Sequence, residues 1–303
     1  MKTVLTSVKV WLVASRPHTL SAAVVPVLVG SALSVDQGAF MWSLFGLTLL
    51  GAILVQIGTN LTDEYADHDA TSSAHKFAAP HKVIVRGLLT AQQVRRGAIM
   101  TFGFATVIGA WLVFQTGWPL LIVCLVSLLV AYAYSAGPFP LGDYALGELL
   151  VFIVMGPVMV GATFYVQTHG ISWPVVWMSF PVGGLVTAIM VVNNLRDEEE
   201  DRKNGRLTLA TVFGGGRLRW GYFLLVAIAY GVPVALVATQ QFGYWVLLPW
   251  LTLPLALRLM EWLKAGTNRE LIHRALRGTA ALHLFFGVLL ALGVLISGVW
   301  GQP

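Results

Sequence analysis

Residues 174–201 read PVVWMSFPVGGLVTAIMVVNNLRDEEED, an apolar run of helical length that stops in asparagine, arginine and carboxylates. About 20 apolar residues let an α-helix cross the hydrocarbon of a bilayer. The run from 174 to 194 therefore predicts a membrane span. The acidic phrase marks where that span leaves the hydrocarbon, since carboxylates are expensive inside it. Working outward, comparable stretches lie near 17–35, 40–60, 98–115, 118–135, 146–168, 220–239, 244–262 and 279–300, which makes nine in all. Of 303 residues, 57% are hydrophobic and 11% are charged. No water-soluble globule hides that much apolar surface. The expectation is an all-α integral membrane protein, with about nine transmembrane helices around a central cavity in a single domain over residues 1–303.

The basic residues orient it. Alternating loops place all 19 Lys and Arg on one side, and the positive-inside rule makes that side cytoplasmic. The acids follow, with only Asp36 on the opposite side. Ahead of the first span, Val4, Leu5, Val8, Trp11 and Leu12 keep helical spacing beside Lys2 and Lys9. Residues 1–15 are thus expected to form an interfacial helix that belongs to the mature chain, because neither an uninterrupted apolar core nor a small-residue cleavage site is clear within them. Cys124 is alone in an apolar stretch, so no disulfide framework exists. The polar segments 61–97 and 195–219 are long enough to cap a site on the cytoplasmic side of a cytoplasmic (inner) membrane.

The acidic phrase occurs twice. NLTDEYAD at 60–67 and NLRDEEED at 194–201 agree at five of eight positions, 134 residues apart. On a helix, Asn60, Asp63, Glu64 and Asp67 share one face, and Asn194, Asp197, Glu198 and Asp201 repeat the pattern. A weak internal duplication with two acidic stripes at one membrane depth follows. Solvated helix ends would explain one such stripe, but they do not explain the repeat. Carboxylates this close together need a cation, and hard oxygens without thiolates or paired histidines select magnesium. Lys82 and Arg86 follow the first stripe; Arg196, Arg202, Lys203 and Arg206 follow the second. These cations suit phosphate oxygens. The constellation predicts a metal-bridged diphosphate site that opens into the bilayer, with a lipid diphosphate as ligand.

These residues also carry a resemblance. The stretch around Asn60–Asp67 and NNLRDEEEDRKNGRLTLA at 193–210 resemble the two Asp-rich motifs of the UbiA-type membrane prenyltransferases. RPHTL at 16–20, QIGTNL at 56–61, RGLLT at 86–90, GPFPLGDYALGEL at 137–149 and GPVMVGATFYVQ at 156–167 are most similar to the branch acting on 1,4-dihydroxy-2-naphthoate. The first motif departs from the family pattern: Asp63 and Glu64 stand where Asn-Asp is usual, and Thr71 and Ser73 stand about where a further Asp is expected.

The resemblance implies magnesium-dependent transfer of a polyprenyl group from a polyprenyl diphosphate to an aromatic acceptor. For a naphthoate, carbon dioxide would also be lost. It implies Asp63, Asp67, Asp197, Glu200 and Asp201 as metal ligands, with Glu64 close by, and Arg86, Arg202, Lys203 and Arg206 on diphosphate. Arg16 is a candidate for the acceptor carboxylate, and Asn60, Asn193 and Asn194 are candidates to orient ligands. Tyr132, Tyr134 and Phe139 could shelter an allylic cation or belong to the interfacial aromatic belt. Asp143 and Glu148 are candidate site residues beside a Pro/Gly turn. His68, His75 and His81 lack paired helical spacing for a metal site, and Gly214–Gly216 predicts a turn. Rival acceptors are 4-hydroxybenzoate, homogentisate and a chlorophyllide. A cation transporter is the other class, but it calls for acids near the midplane. Membrane lipid is the surrounding partner; no nucleic acid or protein partner is implied.

Overall fold

The computed structural model describes residues 2–70, 82–135, 140–266 and 268–300, with side chains at 7–66, 82–135, 140–266 and 268–298. The order is α1 (Lys2–Ala14), α2 (Ser21–Val35), α3 (Trp42–Ala70), α4 (Ala91–Thr116), α5 (Trp118–Ala133), α6 (Gly147–Ile153), α7 (Met159–Thr168), α8 (Trp173–Lys203), α9 (Leu209–Phe213), α10 (Gly215–Ala238), α11 (Leu253–Lys264) and α12 (Arg269–Trp300). Among the described residues, eight helical spans are long and apolar enough to cross a membrane, and α5 is a shorter apolar helix.

Helix continues where the apolar pattern stops. Residues 61–70, read from sequence as the start of a cap segment, belong to α3, and 195–203 belong to α8. At about 1.5 Å per residue, the 31 residues of α8 reach about 46 Å, beyond a hydrocarbon layer of about 30 Å. The last turns of α8 can therefore carry polar residues, and an Arg202–Glu198 pair one turn apart supports them. Two sequence-predicted helices are instead interrupted. Residues 146–168 become α6, a π turn over Val154–Val158 and α7, because Pro157 has no N–H to give to the ladder. Residues 244–262 begin as 3₁₀ helix (Tyr244–Thr252) around Pro249 before α11 starts.

The chain divides into two compact units. The first comprises Met1–Leu20 and Leu47–Leu141. Its core holds Ala14, Leu61, Val83, Ile84, Val94 and Ala98, with Trp11 and Tyr65 packed against them. Glycines let the helices close up: a Cβ on Gly97 would meet the Trp11 ring at 2.8 Å, and one on Gly58 would meet Phe102 at 3.0 Å. Thr90 and Gln93 cap the start of α4 reciprocally.

The second unit comprises Ser21–Gly46 and Gly142–Pro303. Val25, Phe164, Met178, Leu185, Tyr222 and Phe286 are among its buried core, contributed by α2, α7, α8, α10 and α12. Here α8 meets the π turn almost backbone to backbone, since a Cβ on Gly156 would lie 2.8 Å from Gly183 Cα. Small residues at such crossings replace the hydrophobic drive that lipid removes.

Candidate active site

The first motif leaves the polar end of α3 inside the first unit. Asn60 is buried and donates from Nδ2 to the Ser15 carbonyl at 2.8 Å and to Thr19 Oγ1 at 2.9 Å. Gln56 Nε2 donates to its oxygen at 3.4 Å. Asn60 therefore ties α3 to the turn between α1 and α2. Arg16 occupies that turn in a left-handed conformation, φ 49°. Its guanidinium donates to Asp63 Oδ2 at 2.5 Å and lies 3.7 Å from Glu64 Oε2. Glu64, with a side chain only 2% exposed, also accepts from the Ile84 backbone N–H at 3.1 Å. Ser135, next to Tyr134 at the end of α5, donates to Asp63 Oδ1 at 3.3 Å. Asp67 continues the stripe on α3, but its side chain and that of His68 lie outside the described residues, as do His75, His81, Thr71, Ser73 and Phe139. Arg86 stands exposed after Ile84, and Tyr132 is also exposed.

The second motif ends α8 inside the second unit. Arg196 grips Asp197 through both carboxylate oxygens, at 2.7 and 2.5 Å, and also donates to Asn193 Oδ1 at 2.9 Å. Asp201 is buried, and Arg206 NH1 lies 3.6 Å from it. The same guanidinium donates through Nε to Asp143 Oδ1 at 2.6 Å. Backbone pairing reinforces this contact: Leu207 N–H donates to the Asp143 carbonyl at 3.0 Å, and Tyr144 and Leu207 form a bridge. Arg202 pairs with Glu198, and Glu200 lies 3.8 Å from Arg269. Lys203 is exposed at the last position of α8. Asn194 is buried and donates to Glu148 Oε1 at 2.8 Å. Gly214, φ 80°, ends α9 and opens α10, and Gly215 fits beneath Glu198.

Among the described residues, no three His, Cys, Asp or Glu side chains converge as a metal cluster. Magnesium commonly takes one or two carboxylates and fills its shell with water and substrate phosphate. Asp63, Asp197 and Asp201, each within reach of a guanidinium, offer only hard oxygens, so the donor set fits that ion. In each unit the sequence-named residues are gathered: Arg16, Asn60, Asp63 and Glu64 in one; Asn193, Asn194, Asp197, Glu200, Asp201 and Arg206 in the other. Thr19 and Ser135 were given no role from the sequence, because contacts between separate segments leave no spacing signal; Gln56, one turn before Asn60 within α3, shares its face and was quoted in QIGTNL without a role.

Long apolar helices, two of which carry the same Asn-and-Asp phrase into their polar ends, define a multi-pass helical membrane protein with a duplicated acidic motif. The model of the UbiA prenyltransferase family matches residues 23–271, and the chain belongs to that family. It is 33% identical over 283 residues, 93% of this chain and 91% of the relative, to the 1,4-dihydroxy-2-naphthoate octaprenyltransferase of Bacillus subtilis (strain 168). Solved structures share the fold. An apo UbiA homolog from Aeropyrum pernix K1 superposes with a TM-score of 0.69 at 16% identity, covering 91% of this chain and 97% of that one. A UbiA homolog from Archaeoglobus fulgidus bound to GPP and Mg2+ gives 0.62 at 13% identity, covering 93% and 99%.

Proposed function

We propose that the protein transfers a polyprenyl group from a polyprenyl diphosphate to 1,4-dihydroxy-2-naphthoate, releasing diphosphate and carbon dioxide and giving a demethylmenaquinol for menaquinone biosynthesis. The observation that carries the reading is the near full-length similarity to the B. subtilis relative of that name. The duplicated motif, with arginines on its carboxylates, supports it.

In this reaction the allylic C1–O bond breaks and its electron pair leaves with diphosphate. The ring carbon that bears the carboxylate bonds to C1. That carboxylate then departs as carbon dioxide, and its bonding pair restores the aromatic ring. Bound magnesium supplies Lewis acidity to the leaving diphosphate oxygens. Asp63, Asp67, Asp197, Glu200 and Asp201 are assigned to hold it, with Glu64 beside them. Arg86, Arg202, Lys203 and Arg206 are assigned to diphosphate, where fixed cations stabilise charge as it develops. Arg16 is assigned to the acceptor carboxylate, Asn60 and Asn193 to orienting neighbouring groups, and Tyr134 to the face of the cation. The family match spans residues 23–271, which supports one catalytic domain over 1–303 with 61–97 and 195–219 at its cap. We place that cap on the cytoplasmic side of the inner membrane, on the basis of the one-sided Lys and Arg.

Purified protein in detergent, given 1,4-dihydroxy-2-naphthoate and farnesyl diphosphate, should form a prenylated naphthoquinol and carbon dioxide only with magnesium. Asp197→Asn should lose the product at least about a hundredfold. Prenylation of 4-hydroxybenzoate or homogentisate in its place would reject the acceptor, and no reaction with any aromatic would reject the enzyme.

A further inference from the structure

Glu148 is the second residue of α6, and its residue is 5% exposed. It follows Asp143 by five residues, so one short segment reaches both ends of the second motif. Asp143 holds Arg206 beyond the end of α8, and Glu148 holds Asn194 at the start of the motif. Glu148 Oε1 accepts from Asn194 Nδ2 at 2.8 Å, whereas Oε2 is buried with no hydrogen-bond partner among the described residues. A half-satisfied buried carboxyl group is costly to keep. An apolar side chain of the same size would be the stabler filling unless the carboxylate serves Asn194.

The service is polarity. Glu148 Oε1 faces the NH2 end of the Asn194 carboxamide and accepts from it, the end with which an unprotonated carboxyl oxygen can pair. Asn194 is thereby locked in one of its two flips, with Oδ1 turned away from Glu148. The neighbouring carboxamide differs: Asn193 Oδ1 already accepts from Arg196 at 2.9 Å. Of the tandem pair, Asn194 is the one whose oxygen has no donor among the described residues.

We propose that Glu148 is a positioning residue that fixes Asn194 so that its Oδ1 serves as a hard-oxygen partner for the magnesium–diphosphate of the second motif. The inference rests on the proposed prenyl-transfer reading for its ligand. Residues that orient a metal's partners change affinity or activity by about 10–100-fold when removed. A carboxamide in place of Glu148 keeps the bond but permits either flip, so Glu148→Gln should lie between the wild type and Glu148→Leu.

The test is thermal stabilisation of the purified full chain in detergent by geranyl diphosphate, titrated with magnesium. Wild type, Glu148→Gln, Glu148→Leu, Asn194→Leu and the Glu148→Leu/Asn194→Leu double variant are compared. The magnesium concentration at half-effect should rise about 10–100-fold for Glu148→Leu and for Asn194→Leu. In the double variant it should rise no further, because Glu148 acts through Asn194. Ligand-free melting should fall for Glu148→Leu, which strands the buried Asn194 NH2, and recover toward the wild-type value in the double variant, where both partners are apolar. Unchanged midpoints, effects that multiply in the double variant, or a wild type that magnesium and geranyl diphosphate do not stabilise would each overturn the inference. If Glu148→Leu does not fold, Glu148→Gln decides in its place: a raised midpoint supports the inference and an unchanged one ends it. Acceptor assays on the wild type separate the two readings. Binding without prenylation of 1,4-dihydroxy-2-naphthoate removes the proposed reaction and leaves the positioning role standing.

Discussion

Arg16 shows how much one side chain can be asked to balance. Its left-handed backbone is a conformation that non-glycine residues seldom adopt without compensation. The compensation is a guanidinium shared between Asp63 and Glu64, one of them almost fully buried. Removing one partner of a buried pair costs about 3–5 kcal/mol. Because Asp63 keeps 27% of its side chain exposed, Arg16→Ala should lose about 2–3 kcal/mol in denaturation. Glu64→Gln should return part of that loss in the Arg16→Ala background, since it removes the stranded charge. A wild-type denaturation midpoint for Arg16→Ala would sink the account. Arg16→Lys keeps the charge but not the fork, and a role on the acceptor predicts a raised KM for the naphthoate with an unchanged KM for the prenyl donor. The residue scale was also where sequence said least. Spacing named Asp63 and Asn60 through the repeated phrase, but it could not say that both ends of the Asn60 carboxamide already have partners. Such pairings depend on the turn at residues 15–19, and no periodicity encodes it.

At the scale of elements, hydropathy located the helices well and their ends poorly. An apolar run reports the thickness of the bilayer, while the helix itself ends where capping and pairing end, so α3 and α8 extend through their motifs. Proline, visible in the sequence, decided the π turn at Val154–Val158 and the 3₁₀ stretch at Tyr244–Thr252, but a composition window averages it away. The contacts between elements make a sharper prediction. Gly156 and Gly183 touch through backbone, which cannot swing aside, so Gly156→Ala should destabilise by about 1–3 kcal/mol through overpacking. A methyl group added at Gly103 on α4 would meet only open space, and Gly103→Ala should be neutral or stabilise by up to about 1 kcal/mol. Chemical denaturation of both variants checks the pair; equal effects would show that helix propensity, not the crossing, governs both. A second element, the turn at 204–208, is stitched to Asp143 by backbone and side chain. Asp143→Asn keeps the Leu207 backbone bond and weakens the charge contact. Stability should fall by no more than about 1 kcal/mol, since both groups are about a third exposed. The KM for the prenyl diphosphate should nonetheless rise, because Arg206 loses the partner that aims it.

Across the whole molecule, the helices were legible from the apolar runs, and the grouping of Lys and Arg into alternate loops from their positions between those runs. All the basic residues but none of the distances could be read there, because a side follows from parity of crossings whereas a distance needs tertiary packing. Parity gives a prediction that needs no ligand. With nine crossings counting α5, the α8–α9 turn near Lys203 lies on the side of the basic residues, and the α7–α8 turn near Gly170 lies opposite. Translocating Lys and Arg is what the positive-inside rule disfavours, so the first turn should face the cytoplasm. In a Cys124→Ala background, a cysteine introduced as Lys203→Cys should react with a membrane-impermeant maleimide only in inverted vesicles. A cysteine introduced as Gly170→Cys should react only in intact cells with a permeabilised outer envelope. Labelling of both from the same side would mean that α8 does not cross, and the proposed placement of the second motif would fall with it. Labelling of Lys203→Cys from outside would keep the helices but invert the protein, and the prenyl diphosphate would then have to be supplied from the far side of the membrane.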